Sequence, residues 1–451
     1  MLEKAFQLKQ NNVTVRSEVT AGITTFMAMA YILAVNPQIL STTGMPADGV
    51  LIATALSSFV ACVCMAFFSN MPFALAPGMG LNAYFAYVVA AKYGWRMALF
   101  AVFIEGIIFI ILSLTNVREA LFDAIPLSLK YAISGGIGLF IAFIGLVNAN
   151  LVVKDDATLI SLQNFRANFN TAGIGAILCM VGVILIAVLS HKKVRGAILI
   201  GIVVTWVLGI FSQALGIYIP DPEAGFYSLY PVFTAPSFSG VGEIFGQAFN
   251  IDFTNVNILD IAVVVFAFLF VDIFDTLGTV IGVASKADML DEDGKMPKLK
   301  GILLADAIGT TFGAVAGTST VTTFVESSAG VAEGGRTGLT ALTTGSLFLL
   351  SIILAPLFIA IPAFATAAAL LYVGFLMLST ILKIDFNNIT EAVPAYIALI
   401  SMPFFYSIAE GISFGIISYV FINLLTGNSK KISPLMYVLT IIFILRYLFL
   451  V

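Results

Sequence analysis

Two aspartates lie within a long apolar stretch of the chain, at residues 258–284. Asp272, Asp275, Thr276 and Thr279 follow one another at positions i, i+3, i+4 and i+7. That spacing places the four side chains on one face of an α-helix. Carboxyl groups accept hydrogen bonds from N–H donors and can carry a proton. The stripe is therefore a candidate site for binding and proton transfer, and the alternative is a static hydrogen-bonded seam between helices.

The composition explains why these acids are unusual. Hydrophobic residues make up 60% of the 451 residues and charged residues only 10%, and the mean hydropathy is +1.05. A soluble globular chain carries about 25% charged residues. Apolar runs of roughly 20 residues instead predict a polytopic α-helical membrane protein. Because an ionised aspartate at the centre of a bilayer costs about 2.5–3.5 kcal/mol, Asp272 and Asp275 need a cavity, partners or protonation.

Hydropathy predicts about fourteen membrane-spanning segments, and it leaves open whether one further apolar run also spans. The predicted spans are 19–40, 49–69, 72–91, 96–115, 131–150, 171–190, 196–217, 258–284, 299–316, 317–334, 338–360, 363–382, 391–407 and 409–426, and the further run is 433–450. If the N-terminus is cytoplasmic, the outward loops contain few basic residues, namely Lys92, Arg96, Lys154 and Arg166. This bias predicts a cytoplasmic N-terminus.

Two of these segments are poor helix formers. The segment MPFALAPGMGLNAYF (71–85) contains two prolines and two glycines before Asn82, and GTSTVTTFVESSAG (317–330) crowds β-branched residues before Glu326. Proline removes a backbone donor, and β-branched residues favour extended chain. Within a bilayer, irregular backbone is tolerated only inside protein or against a water-filled cavity. We therefore expect two half-extended, half-helical segments that meet at mid-membrane, the alternative being two kinks used for close packing.

The positions of these segments indicate a class of function. Residues 74–85 and 314–325 share small, apolar and aromatic residues in register, and an odd number of spans in each half would invert the halves. Paired broken helices in two inverted halves point to the binding site of a secondary transporter. A passive channel is the alternative with the same topology.

Other features exclude further classes. A net charge of −4 without a basic cluster argues against nucleic acid as a partner. Three cysteines within apolar runs and a single histidine predict no zinc site, and we expect no metal and no cofactor. An intramembrane enzyme that holds Mg²⁺ through Asp272 and Asp275 would need more acids, and basic residues for a diphosphate. An anion carrier would need a basic residue, and 72–91 and 317–334 contain none.

Two more acids lie within apolar spans. Glu105 and Asp306 each stand alone on a predicted helix. Hydrogen bonding between helices and a role in coupling are both open for these two residues.

Five strings carry a resemblance to a known family. They are TFMAMAYILAVNP (25–37), APGMGLNAYFAY (76–87), FLFVDIFDTLGT (268–279), GTSTVTTFVESSAGVAEGGRTG (317–338) and MPFFYSIAEGISFG (402–415). Over essentially its whole length the chain resembles the AzgA-like purine permeases of the nucleobase–cation symporter-2 (nucleobase/ascorbate transporter) family, most of all the bacterial guanine/hypoxanthine members.

The resemblance implies an architecture. It is an all-α fold of about fourteen segments in a 7+7 inverted repeat, with short strands in segments 3 and 10. A core formed by residues 1–115 and 258–360 would move like an elevator against a gate formed by 116–257 and 361–451. Family members commonly form homodimers through the gate.

The resemblance also implies roles for particular residues. Asp272 and Glu326 look like the carboxylates that hold the purine, Asp275 like a coupling acid, and Asn82 like a polar supporter from the third segment. The predicted proton-coupling set is Asp272, Asp275 and Glu326. The predicted substrate-binding set further includes Thr318, Ser319, Thr320, Phe274, Tyr84 and Phe324.

Together these observations predict a transporter and not an enzyme. We expect proton-coupled uptake of hypoxanthine or guanine across a bacterial inner membrane, with membrane lipid around the protein. The same fold with adenine, xanthine or uracil as the solute, or with sodium as the coupling ion, is the alternative.

Overall fold

The computed structural model describes residues 2–114, 125–231, 235–251, 258–286, 289 and 296–449. Ten helical stretches among these residues are long and apolar enough to cross a membrane. They are Val15–Ser41, Ala47–Phe68, Trp95–Leu114, Leu127–Asn148, Phe169–His191, Ala197–Ala214, Leu299–Ala316, Gly338–Ile359, Ala363–Lys383 and Ile408–Leu425. The prediction of a multi-pass, mainly helical membrane protein is confirmed.

In the first half of the chain, helices predominate and the third predicted span is broken. The elements are α1 (Leu2–Phe6), α2 (Val15–Met29), α3 (Ile32–Ser41), α4 (Ala47–Phe68), β1 (Leu75–Pro77), α5 (Met79–Ala83), which continues as a π-helix (Tyr84–Ala90), α6 (Ala91–Tyr93), α7 (Trp95–Leu114), α8 (Leu127–Asn148), the hairpin strands β2 (Val152–Asp155) and β3 (Leu159–Leu162), α9 (Ile174–His191), α10 (Ala197–Ala214) and α11 (Ser239–Ile244).

In the second half, the corresponding break lies in the tenth predicted span. The elements are α12 (Ile258–Lys286), α13 (Leu299–Ala316), β4 (Val321–Thr323), α14 (Ser327–Ala332), α15 (Gly338–Leu350), α16 (Ala355–Ile359), α17 (Ala363–Leu378), α18 (Ile389–Phe404), α19 (Ile408–Leu425) and α20 (Pro434–Phe449).

The first predicted span is also interrupted, between α2 and α3, a feature that hydropathy does not reveal. There the amide of Leu33 donates to the carbonyl of Ala30 at 3.1 Å, and the amide of Ala34 donates to the carbonyl of Tyr31 at 3.0 Å. These bonds span three residues and are tighter than those of an α-helix. Tyr31 therefore lies in a tightened turn in the middle of the span.

The C-terminal helix α20 runs back along α19. The hydroxyl group of Tyr447, near the end of α20, donates to Glu410 Oε2, near the start of α19. The ring of Phe443 lies 6.0 Å from that of Phe266 on α12. Because the end of one helix meets the start of the other, the two helices are antiparallel. The apolar run 433–450, which the sequence left open, is thus packed lengthwise against the bundle.

A buried glutamate at the start of α2 links it to the start of α15. The carboxylate of Glu18 accepts hydrogen bonds from the amides of Arg336, Thr337 and Thr340 at 2.8–3.2 Å. The hydroxyl groups of Thr337 and Thr340 donate to it at 2.8 and 2.7 Å. These donors include amides at the start of α15, where a helix leaves its N–H groups without internal partners. Glu18 therefore anchors one helix terminus to another helix.

We predict that Glu18→Ala destabilises the protein by roughly 2–4 kcal/mol, since several buried donors lose their acceptor together. The measurement is thermal unfolding of the purified protein in detergent. Glu243 is exposed on α11, so Glu243→Ala is the matched control and should leave the melting temperature unchanged. Equal melting temperatures for the two variants would contradict the anchoring role.

Candidate functional site

The two interrupted segments meet as an antiparallel pair of strands, β1 and β4. The residue pairs are Leu75 with Thr323, Ala76 with Thr322 and Pro77 with Val321. One further backbone hydrogen bond at each end lengthens the pairing, both with N···O distances of 3.0 Å. Each strand leads into a short helix, α5 or α14. The predicted half-extended, half-helical segments are therefore confirmed, and they are not merely kinked helices.

Both strands are buried, so the backbone groups on their outer edges need partners inside the protein. On the β4 side, the hydroxyl group of Thr310 donates to the carbonyl of Val321 at 2.9 Å and accepts from its amide at 3.2 Å. On the β1 side, the amide of Leu75 donates to Cys62 Sγ at 3.3 Å. Side chains of α13 and α4 thus complete the sheet at both edges.

The three residues before β4 are each bonded to a different element of the bundle. Asn36 Nδ2 of α3 donates to Thr318 Oγ1 at 2.8 Å, Ser319 Oγ donates to Asn82 Oδ1 of α5 at 2.5 Å, and Thr320 Oγ1 donates to Glu105 Oε2 of α7 at 2.7 Å. All six side chains are fully buried. These hydroxyl groups are engaged within the protein and hold the extended segment in place. For Glu105, the structure shows the hydrogen bond between elements that the sequence left as one option.

Asp272 lies in a buried polar network between α12, α13 and β4. The hydroxyl group of Thr276 lies 3.5 Å from Asp272 Oδ1 and 2.7 Å from Thr322 Oγ1, and it also donates to Asp306 Oδ2. All four side chains are buried. Asp272 and Asp306 thus belong to a hydrogen-bonded seam between helices. The sequence left such a seam open as the alternative to a binding site.

Asp275 occupies a different part of α12 from Asp272. Asp275 and Thr279 are partly exposed. Each lies three residues after a buried residue of the stripe, and a step of three residues turns a side chain about 60° around a helix. Asp275 is close enough to Glu326 for their charges to interact. Its Oδ2 lies 3.6 Å from the point that a Cβ atom on Gly78 would occupy. The predicted stripe therefore divides into a buried pair and a partly exposed pair, and of the exposed pair Asp275 lies beside the junction of β1 and α5.

Glu326 stands between β4 and α14, where the second broken segment becomes helical. Its side chain is partly exposed, and its Oε1 accepts a hydrogen bond from the hydroxyl group of Tyr31 at 2.7 Å. Tyr31 is fully buried. Asp275 and Glu326 are thus two accessible acids where the broken segments cross, and a tyrosine from the first span holds one of them.

The predicted aromatic residues lie close to the crossing but within packed surroundings. The ring of Tyr84 meets that of Phe268 edge to face at 4.7 Å. Both of these rings and that of Phe324 are buried. The side chain of Phe274 lies outside the part of the chain that the structure describes.

Tyr31 and Asn36 belong to the site region, although neither is among the predicted site residues. An aromatic residue in an apolar span is usually a packing residue. Asn36 does carry a usable signal, since a side-chain amide inside a span needs a hydrogen-bond partner. Its spacing does not reveal that the partners are Thr54 and Thr318.

Comparison with known proteins decides the family. A family model described as Permease family matches residues 16–414. The chain is 42% identical to the guanine/hypoxanthine permease PbuO of Bacillus subtilis, with 98% of this chain and 99% of that protein covered. It is 40% identical to the adenine permease AdeP of Escherichia coli, with 100% and 96% covered. The chain belongs to this permease family. The resemblance to the nucleobase–cation symporter-2 family is thereby confirmed.

The permease also has a known transporter fold. The transmembrane domain of the cyanobacterial bicarbonate transporter BicA superposes with a TM-score of 0.64 at 17% sequence identity, covering 88% of the permease and 96% of that domain. At this identity the likeness shows the fold alone. Its family and its relatives are permeases, so the protein is a transporter and not an enzyme, and the alternative of an intramembrane enzyme is wrong.

Proposed function

We propose that the permease imports hypoxanthine and guanine together with a proton. The observation that carries this proposal is the pair of partly exposed acids, Asp275 and Glu326, at the crossing of the two broken segments. Its family and the similarity to PbuO support the substrate class.

The chemistry of an oxopurine suits two carboxylates. The base is planar and neutral, and it carries N–H donors on its pyrimidine and imidazole rings. Carboxylates accept such donors in charge-assisted hydrogen bonds, which are stronger than neutral ones. We assign the contacts with the base to Glu326 and to Asp275, which replaces the Asp272 that the family resemblance implies because Asp272 is buried and Asp275 is partly exposed. Aromatic packing around the base is assigned to Tyr84, Phe324 and Phe274.

The buried polar groups have a supporting role in this proposal. The extended segment is held by its contacts with Asn82, Asn36 and Glu105. The network of Asp272 and Thr276 lies on the same helix as Asp275. We therefore assign proton coupling to Asp275 and Glu326, with Asp272 as a supporting residue on the same helix. The role of Thr318, Ser319 and Thr320 is to hold the extended segment in place.

Proton coupling supplies the driving force that a neutral base lacks. Moving one positive charge through a membrane potential of about 100 mV provides roughly 2.3 kcal/mol. That energy supports about fiftyfold accumulation of the base, since each 1.4 kcal/mol is about tenfold.

Elevator-like movement requires two bodies. The proposed core consists of spans 1–4 and 8–11 and the proposed gate of spans 5–7 and 12–14, in a 7+7 inverted repeat. This division is supported by packing, because extensive contacts join α4 with α13 and α15 within the proposed core and α8 with α17 and α18 within the proposed gate. An ion pair between Arg195 and Glu333 joins the two proposed bodies. Its arginine is exposed and its glutamate partly exposed, so the pair opposes movement little.

We further propose a bacterial inner membrane as the location, a cytoplasmic N-terminus and a homodimer formed through the gate. The distribution of basic residues supports the orientation. PbuO and AdeP are bacterial proteins, which supports a bacterial membrane as the location.

Uptake of labelled hypoxanthine tests the proposal in a host that lacks its own purine transporters. We expect accumulation that unlabelled guanine competes with and that a protonophore abolishes. Uptake that is indifferent to the protonophore but lost when sodium is replaced would contradict proton coupling. Failure of any purine to accumulate would contradict the function.

Adenine is the second candidate substrate, because the identity to AdeP is nearly equal to that with PbuO. Adenine has an acceptor at ring position 1 where an oxopurine has an N–H donor, so an ionised carboxylate favours the oxopurine there. Stronger competition by adenine than by guanine would favour this candidate instead.

A further inference from the structure

The contact between Tyr31 and Glu326 joins two segments that are 295 residues apart in the chain. The hydroxyl group donates to Oε1 at 2.7 Å, a good distance for such a bond. Tyr31 is 0% exposed, whereas Glu326 is partly exposed. The tyrosine therefore holds the carboxyl group from the protein side, while part of the glutamate side chain stays accessible.

The backbone around Tyr31 is fixed as well. It lies in the tightened turn between α2 and α3, where its carbonyl accepts from the amides of Ala34 and Val35, both at 3.0 Å. Glu326 is likewise at a junction, because it is the N-cap residue of α14 and lies three residues after the end of β4. The backbone positions of both the donor residue and the acceptor residue are thus fixed by the local structure.

We propose that Tyr31 is a positioning residue for substrate binding, because it orients the Glu326 carboxyl group toward the base. This inference rests on the proposed function and deepens it. Without the hydroxyl group, the glutamate side chain would rotate among several rotamers, and binding would have to restrict that freedom.

A hydroxyl group suits this role in both protonation states of the acid. It can donate to an ionised carboxylate, and it can accept from a protonated carboxyl group. Tyr31 can therefore keep hold of Glu326 throughout a transport cycle in which that acid gains and loses a proton. A phenylalanine of the same shape could do neither.

The test is the Kd of the purified permease for labelled hypoxanthine, measured for the unmodified protein and for Tyr31→Phe. We expect Kd to rise about tenfold, the effect of losing one hydrogen bond to a charged group. Combined with Glu326→Gln, the second substitution should add less than about twofold, because the two residues act through one contact.

Tyr419 provides a matched control. It is also buried, and its hydroxyl group donates to Glu391 Oε1 at 3.1 Å, away from the strand crossing. Tyr419→Phe should leave Kd unchanged. If Tyr31 had only a structural role, both variants would lower the melting temperature and neither would change Kd.

The outcomes separate the two proposals. If the unmodified permease binds hypoxanthine and Tyr31→Phe binds it equally well, the positioning role is wrong and the proposed function stands. If Tyr31→Phe and Tyr419→Phe weaken binding alike, the effect is general and the inference also fails. If the unmodified permease binds no purine base, the proposed function fails and the inference fails with it.

Discussion

Replacing Glu326 by glutamine should lower Vmax/KM for hypoxanthine uptake about 10- to 100-fold. Glutamine keeps the size of the side chain but removes the charge that strengthens the hydrogen bonds to the N–H donors of the base. A hydrogen bond to a charged group contributes roughly 1.5–3 kcal/mol, which corresponds to that range. The measurement is the initial rate of labelled hypoxanthine uptake, normalised to the amount of permease in the membrane.

Glu391→Gln is the control for this prediction. Glu391 is another glutamate in the bundle, and it hydrogen-bonds to Ser128 and Tyr419 within the proposed gate. Its replacement should change stability but leave the KM for hypoxanthine unchanged. A normal KM in Glu326→Gln would show that this acid does not contact the base.

Replacing Gly78 by valine should reduce uptake to background. A Cβ atom at this position would lie 2.5 Å from Thr322 Cγ2 and 3.6 Å from Asp275 Oδ2. Atoms cannot approach as closely as 2.5 Å without a shift, and the neighbour here belongs to the opposing strand. The larger side chain would therefore separate the strands and fill the space beside the Asp275 carboxylate. The same uptake assay, together with size-exclusion elution of the purified protein, measures the effect.

Gly242→Val is the matched substitution for this experiment. A Cβ atom on Gly242 meets no other atom within 4 Å, so uptake should match that of the unmodified protein. If Gly78→Val elutes as a folded protein and still transports hypoxanthine normally, the substrate does not pass beside this glycine.

Backbone chemistry made the central feature predictable. Pro77 lacks an amide donor, and the β-branched residues from Thr318 onward disfavour a helix. These local effects act wherever the chain lies in the fold. The positions of β1 and β4 therefore follow from the sequence, and hydropathy likewise finds most of the spans.

Side-chain partners were less predictable because they depend on packing between distant segments. Helical spacing put Asp272 and Asp275 on one stripe, yet a rotation of about 60° separates a buried network from an accessible acid. Glu18 lies one residue before the first predicted span, and no pattern around it indicates that it anchors α15. Tyr31 resembled the apolar residues around it. Glu18 and Tyr31 act through partners about 300 residues away, and Asp272 acts through residues of α13 and β4, none of which spacing within one helix can indicate.

The most direct test of the central claim is a cryo-electron microscopy structure of the permease with hypoxanthine bound. We expect density for a planar ligand at the crossing of β1 and β4, with carboxylate oxygens of both Asp275 and Glu326 about 2.7–3.2 Å from its nitrogen atoms. Density for the base elsewhere in the protein, with both carboxylates out of contact with it, would show that these acids do not form the binding site.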